Sequence, residues 1–140
     1  MIIADTGFWL ALANRDDTHH SQAAFVIASI NEPLITTWCV ITETCYLLLT
    51  RLGNHAQLRF MDNILEGGII VFELKNSPIK RMRELMTQYG DLPMDLADTS
   101  LVILAENLGQ GRILTSDCQD FSIYRWNETR NFENLFLEYP

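Results

Sequence analysis

The chain has 140 residues, 48% hydrophobic residues and a formal net charge of −8. These values are typical of one globular domain, predicted to span residues 1–140, with a core large enough to need no disulfide or metal staple. Apolar runs fall short of the ~20 residues of a membrane helix, and no signal peptide is indicated, so we expect a cytoplasmic protein without a membrane partner. The acidity argues against a general affinity for nucleic-acid backbones, but not against a nucleic-acid enzyme whose acids are neutralised by metal.

Several common chemistries have no motif in this sequence. The three cysteines, Cys39, Cys45 and Cys118, form no Cys-x-x-Cys or Cys/His metal spacing, and we expect reduced thiols. No Gly-x-Ser-x-Gly, Walker A or Gly-x-Gly-x-x-Gly motif occurs, which argues against serine hydrolases, P-loop proteins and dinucleotide-binding proteins.

Short apolar runs alternate along the chain with longer segments of helical spacing. This alternation is typical of βαβ units and predicts an α/β fold with a mainly parallel sheet. The predicted strands are residues 1–4, 34–36, 69–74, 112–114 and, at the sheet edge, 134–138. The predicted helices begin near Phe8, His19, Trp38, Asn54, Ser77 and Asp95, and end near Leu12, Ile30, Leu52, Glu66, Tyr89 and Leu108.

Two acids follow predicted strands. Asp5 comes directly after the first strand, and Asp117 comes two residues after the apolar pair and threonine at 113–115. In open α/β sheets the ligand crevice lies outside the carboxyl ends of the strands, so both carboxylates are expected there. Each also suits a purely structural role as a helix cap or turn residue, and Asp120 is interpreted in that way.

Three more acids lie in predicted helices. Glu43 is in the middle of a helix that is apolar on nearly every side and is therefore expected to be buried. A charge there is costly unless it is paired or binds a metal; alternatively, this stripe of the helix faces solvent. Asp95 and Asp98 are three residues apart, which places their Cβ atoms about 5–6 Å apart on one face. Interaction with the positive N-terminal end of the helix explains one acid at this place. Two acids on one face repel each other, and a bound cation would relieve that repulsion.

These acids together predict a crevice that binds Mg²⁺ or Mn²⁺ through carboxylate oxygens. A metal of this kind can generate hydroxide, orient a phosphate and stabilise a leaving oxygen. The residues therefore favour metal-dependent hydrolysis of phosphodiesters.

The order of the motifs resembles the PIN domain family, and more narrowly its VapC-like toxin branch. The resemblance rests on Asp5-Thr6 after the first strand and on Glu43 in the third helical segment. It continues in Leu92-Pro93-Met94-Asp95-Leu96-Ala97-Asp98 and in the stretch from Ile113 to Asp117-x-x-Asp120-Phe121. It covers essentially the whole chain, and the order and spacing of the motifs are more persuasive than any one of them.

The resemblance implies a three-layer α/β/α fold with a central, mainly parallel sheet, and the activity of a Mg²⁺- or Mn²⁺-dependent endoribonuclease. The catalytic quartet of the family is matched by Asp5, Glu43, Asp98 and Asp117, and the metal ligands among them by Asp5, Asp98 and Asp117. Supporting positions that hold these acids are matched by Thr6 and Thr115, with Asp95 as an extra acid at the rim. The implied partners are an RNA substrate and an antitoxin whose segment fills the crevice. Because the apolar fraction is high for a chain of 140 residues, we also expect a homodimer.

One departure concerns the charge beside the fourth acid. Where the family often carries a basic pair, this sequence has Cys118-Gln119, which removes positive charge from the site. The competing hypothesis is a non-catalytic or degenerate PIN-like module that binds a protein partner. Receiver domains and Asp-x-Asp phosphatases fit less well, since no lysine ends the fourth strand and Asp5-Thr6-Gly7 follows the first.

Overall fold

A parallel sheet of five strands forms the centre of the structure, a computed structural model that describes residues 1–75 and 77–136. Helices flank the sheet, so the predicted α/β/α fold with a mainly parallel sheet is confirmed. The described strands are β1 (Ile2–Ala4), β2 (Leu34–Thr37), β3 (Ile69–Phe72), β4 (Arg112–Leu114), β5 (Arg125–Trp126), β6 (Arg130–Asn131) and β7 (Glu133–Asn134). The described helices are α1 (Thr6–Ala13), α2 (His20–Ser29), α3 (Trp38–Leu52), α4 (Asn54–Leu65), α5 (Ile79–Gln88), α6 (Leu96–Leu108) and α7 (Cys118–Ile123).

The strand order of the main sheet is β3-β2-β1-β4-β7, with β1 at the centre. Each neighbouring pair is parallel, and Ile3 of β1 is aligned with Ile35 on one side and Ile113 on the other. Ile2, Ile3 and Ala4 are at most 2% exposed. A strand covered on both faces is apolar at every position, which is why residues 2–4 show no polar alternation.

Most predicted elements are present, and their differences lie at the ends. Ser77 does not cap α5: it has a left-handed φ of 49°, Pro78 holds the capping position, and no side chain caps the helix. Helix α4 has Asn54 as its first residue, and Gly53 holds its capping position. The last predicted strand, 134–138, is shorter in the structure because β7 ends at Asn134 and a turn follows, while residues 137 and 138 lie outside the described residues.

Two features near the C-terminus are missing from the sequence prediction. Helix α7 has only six residues, too few for a helical period to stand out. The β5–β6 hairpin turns through Asn127 and Glu128, which have φ values of 44° and 65°. The usual hairpin signal is Asn-Gly, but here Glu128 follows Asn127. Because glutamate seldom adopts this left-handed conformation, the sequence does not predict the turn.

Helix α3 is less buried than its composition predicts. Its core-facing side carries Val40, Ile41 and Leu48, which are at most 3% exposed, whereas Trp38 and Tyr46 are 51% and 64% exposed. The expectation of a helix buried all round is therefore wrong on this face. None of the helices within the described residues has the length and apolar character needed to span a membrane.

We expect Ile3→Ala to lower the free energy of unfolding by about 2–5 kcal/mol, because it opens a cavity in the central strand. Ile70→Ala, in edge strand β3, should cost less, because Ile70 is 38% exposed and Ile3 is fully buried. Urea unfolding of the two variants beside the wild type measures the difference. Equal losses would contradict the placement of β1 at the centre of the core.

Candidate active site

The pairing of β1 with β4 brings two of the predicted acids to one edge of the sheet. Asp5 follows β1, and its backbone N–H donates to the carbonyl of Leu114 at the end of β4 (3.0 Å). The Thr115 hydroxyl donates to Asp5 Oδ2 (2.8 Å) and accepts from the N–H of Asp117 (3.0 Å). Thr115, itself fully buried, therefore connects the two strand ends and fixes the spacing of the two acids.

Asp5 has a structural role as well as a place in the crevice. It is the N-cap of α1, and its Oδ1 accepts from the N–H of Thr6 (2.7 Å). With Thr115 on Oδ2, both carboxylate oxygens have a donor, and the residue is only 6% exposed. The capping interpretation and the crevice interpretation of Asp5 are thus both met in the structure.

The predicted acids line one pocket of about 270 Å³. Glu43 faces this pocket, so the alternative of a solvent-facing stripe on α3 does not apply to it. Thr115 is fully buried and reaches the pocket through its hydrogen bond to Asp5. The lining residues are Asp5, Thr6, Gly7, Leu10, Glu43, Leu47, Pro93, Asp95, Asp98, Ser116, Asp117 and Asp120.

Helix α6 contributes Asp95 and Asp98. Asp95 is the N-cap of α6, and its carboxylate accepts from the N–H of Asp98 (2.8 Å). Asp95 is exposed and Asp98 half-buried, which matches the predicted rim position of Asp95. The Asp98 carboxylate accepts a hydrogen bond from the hydroxyl of Tyr124 (3.1 Å).

Asp120 and Tyr124 are the residues at this site that sequence reasoning missed. Asp117 is the N-cap of α7 and accepts from the N–H of Asp120, as a capping interpretation requires (3.2 Å). Asp120 nevertheless also joins Asp98 and Asp117, since each of the three offers an oxygen within 4.8 Å of the other two. The i, i+3 spacing of Asp117 and Asp120 is a usable signal once a helix is assigned there. Tyr124 lies 26 residues from Asp98, and no local pattern connects them.

Burial and mutual repulsion raise the pKa values of Asp5, Glu43 and Asp98. Burial raises the pKa of Asp98 to about 8, with added repulsion from Asp95 and Asp5. Burial likewise raises the pKa of Asp5 to about 6, against the opposing hydrogen bonds from Thr115 and Thr6. The pKa of Glu43 is raised by burial and by the charges of Asp95 and Asp5. Among residues 1–75 and 77–136, no Lys or Arg side chain lines the pocket, so no basic side chain offsets the charge of its carboxylates.

The donor set suits a hard divalent cation. Carboxylate oxygens are the ligands that Mg²⁺ and Mn²⁺ prefer. Asp98, Asp117 and Asp120 present three oxygens close enough for one ion, and Asp5 and Glu43 line the same pocket. A cation bound there would offset the repulsion among these carboxylates.

Comparisons with known proteins agree with this geometry. The model of the PIN domain family matches residues 2–126, which include all of the acids above. The chain is 28% identical over 124 residues to ribonuclease VapC26 of Mycobacterium tuberculosis (strain ATCC 25618 / H37Rv), covering 89% of this chain and 92% of that protein. It is 41% identical over 56 residues to the 23S rRNA-specific endonuclease VapC20 of Mycobacterium tuberculosis (strain CDC 1551 / Oshkosh), covering 40% of this chain and 43% of that protein.

A solved structure shares the whole architecture. The crystal structure of Mycobacterium tuberculosis VapC20, a sarcin-ricin loop cleaving toxin, superimposes with a TM-score of 0.82 at 25% identity. The superposition covers 93% of this chain and 99% of that one. The chain belongs to the PIN domain family, and its relatives within that family are VapC ribonucleases.

Proposed function

We propose that this protein is a metal-dependent endoribonuclease, the toxin of a toxin–antitoxin pair. The observation that carries the proposal is the convergence of Asp5, Glu43, Asp98 and Asp117 on one pocket. In the part of the chain that the structure describes, no basic side chain lines this pocket. The relatives add the substrate class, because VapC26 is a ribonuclease and VapC20 a 23S rRNA-specific endonuclease. The proposed cofactor is Mg²⁺ or Mn²⁺.

The proposed roles follow from the contacts of each side chain. Asp5, Asp98 and Asp117 are assigned as metal ligands, with Asp120 beside them. A bound divalent ion supplies a Lewis acid that lowers the pKa of bound water. Glu43 lines the same pocket, and its raised pKa makes it a stronger base than an ordinary carboxylate, so we assign it to accept the proton of the attacking water.

Three neighbours hold the acids in place. Thr115 and the N–H of Thr6 fix the two oxygens of Asp5. Asp95 caps α6 and so fixes the backbone of Asp98. These supporting roles need no contact with the substrate, because they act by restricting the carboxylates to one geometry.

The negative charge of the pocket also suggests the partners. An antitoxin segment with an Arg or Lys side chain would neutralise the acidic pocket in the absence of metal. The exposed Trp38, Tyr46 and Leu49 of α3 form an apolar face that suits a homodimer. With these partners and an RNA substrate, we place the protein in the cytoplasm.

A degenerate PIN module that only binds a protein is the alternative. It predicts that the acids bind no metal and that RNA is left intact. The tests below separate the two functions, because each measures the metal or the cleavage directly.

We expect Asp5→Asn to abolish RNA cleavage while the fold is retained, because asparagine has nearly the size of aspartate, keeps one acceptor oxygen and loses the charge that holds a cation. The assay incubates ribosomal RNA with protein in Mg²⁺, Mn²⁺ or chelator and maps new 5′ ends by primer extension. Asp62→Asn, which removes an exposed acid from α4, is the matched control and should cleave like the wild type. Undiminished cleavage by Asp5→Asn would refute the proposal.

We expect the metal-free protein to become less stable as the pH rises from about 4 to about 8. The pKa values of Asp5 and Asp98 in the folded protein, about 6 and about 8, lie above that of an unfolded aspartate. The folded state therefore binds more protons over this interval, and their release favours unfolding. Mn²⁺ should restore stability at pH 8, since it binds the ionised acids. Thermal unfolding in chelator and in Mn²⁺ measures both effects.

The matched variants assign this pH dependence to the pocket. Asp5→Asn should lose less stability over the interval than the wild type, whereas Asp62→Asn should follow the wild type. A melting temperature that rises from pH 4 to pH 8 without metal would contradict the pKa shifts.

We expect Tyr46→Lys to convert a homodimer to a monomer, because it places a charge on the exposed apolar face of α3. Light scattering after size exclusion gives the mass. Leu65→Lys on α4, where the leucine is 82% exposed, is the control and should leave the mass unchanged. A dimer that survives Tyr46→Lys would exclude this face as the interface.

A further inference from the structure

We propose that Tyr124 is a positioning residue for the metal site: its hydroxyl holds Asp98 Oδ2 so that Oδ1 stays available to a cation shared with Asp117 and Asp120. The inference rests on the proposed function, because it concerns the affinity of the same acids for a divalent ion. It goes further by assigning a role to a residue outside the acidic motifs.

Helix α7 connects the three acids through Tyr124. Asp117 caps the start of this helix and Asp120 lies in its first turn. Tyr124 caps its end, and its hydroxyl donates to Asp98 on α6 (3.1 Å). One short helix thus carries two acids of the cluster and a donor to the third, which sets the spacing between α6 and α7 at the pocket.

The ring of Tyr124 cannot move easily. Its side chain is fully buried and makes edge contacts with Tyr89 and Phe121, at centroid distances of 5.1 and 5.2 Å. A buried phenol needs a partner for its hydroxyl, and Asp98 provides it. The hydroxyl is therefore held at a fixed point and does not merely reach the carboxylate by chance.

Asp98 depends on this one bond more than Asp5 depends on any single donor. Asp5 has a donor on each carboxylate oxygen, from Thr6 and Thr115. Within residues 1–75 and 77–136, the Asp98 carboxylate accepts a hydrogen bond only from Tyr124. Without the hydroxyl the carboxylate is free to rotate and to turn away from Asp117. Loss of a group that orients a ligand in this way typically weakens metal binding by 10- to 100-fold.

The test is Tyr124→Phe, which keeps the ring and its packing and removes only the hydroxyl. Mn²⁺ binding is measured by titration calorimetry on the purified full chain at a temperature well below the melting point. We expect about 10- to 100-fold weaker binding. Cleavage of ribosomal RNA should return towards the wild-type kcat at saturating Mn²⁺, because the metal, once bound, orients Asp98 itself.

Tyr89→Phe is the matched control. Tyr89 packs against Tyr124, but its hydroxyl accepts from the backbone N–H of Arg125 (2.9 Å) and contacts no acid. It should keep wild-type Mn²⁺ affinity even if its melting temperature falls. Asp98→Asn removes the metal ligand itself. It should bind Mn²⁺ weakly, and excess Mn²⁺ should not restore its cleavage of RNA.

The outcomes separate this inference from the proposed function. Wild-type Mn²⁺ affinity in Tyr124→Phe, or an equal loss in Tyr89→Phe, overturns the role of Tyr124 while the nuclease proposal stands. Mn²⁺ binding by the wild type without any RNA cleavage overturns the nuclease and leaves the role of Tyr124 decided by the affinities. A wild-type protein that binds no Mn²⁺ overturns both.

Discussion

The hydrogen bond from Thr115 to Asp5 is the contact on which the pocket depends. It joins residues 110 positions apart, and it forms only because β1 and β4 are neighbours in the sheet. The same hydroxyl accepts from Asp117, so one buried threonine sets the distance between two acids. The rest of the pocket is built against this fixed pair, with α3 contributing Glu43 and α6 contributing Asp98.

The N-termini of three helices partly offset the repulsion among the acids of the pocket. Asp5, Asp95 and Asp117 are the N-caps of α1, α6 and α7, and each accepts a backbone N–H of its own helix. The positive ends of three helices therefore point at one pocket and partly offset its charge. The offset is incomplete, since burial and repulsion still raise the pKa values of Asp5 and Asp98. A site that retains this unfavourable charge is suited to bind a cation, and this is why we favour a metal enzyme over a scaffold.

The absence of basic residues in the pocket lining shapes how such an enzyme would work. The residues after Asp117 are Cys118 and Gln119, and no Lys or Arg of the described residues lines the pocket. The carboxylates of this pocket would repel an RNA phosphate unless a metal were bound. Metal binding and substrate binding would therefore be coupled by electrostatics, more tightly than in a site with its own basic side chains.

The alternation of strands and helices, the parallel sheet and the acids beside strand ends and helix starts could all be predicted from the amino-acid sequence. These features depend on local periodicity and on the types of residues that lie a few positions apart in the chain. Thr115 and Asp95 could also be predicted, because they lie two and three residues from Asp117 and Asp98 in the chain.

Which of these acids lie together, and which side chains hold them, depends on the packing of the folded chain. It added Asp120 to the cluster through a helix too short to recognise, and it exposed one face of α3 that composition predicts to be buried. It also placed Tyr124 against Asp98, across two helices. Such contacts follow from the packing of distant segments around a shared core, and no pattern within a single segment records which distant side chain will fill the space beside it.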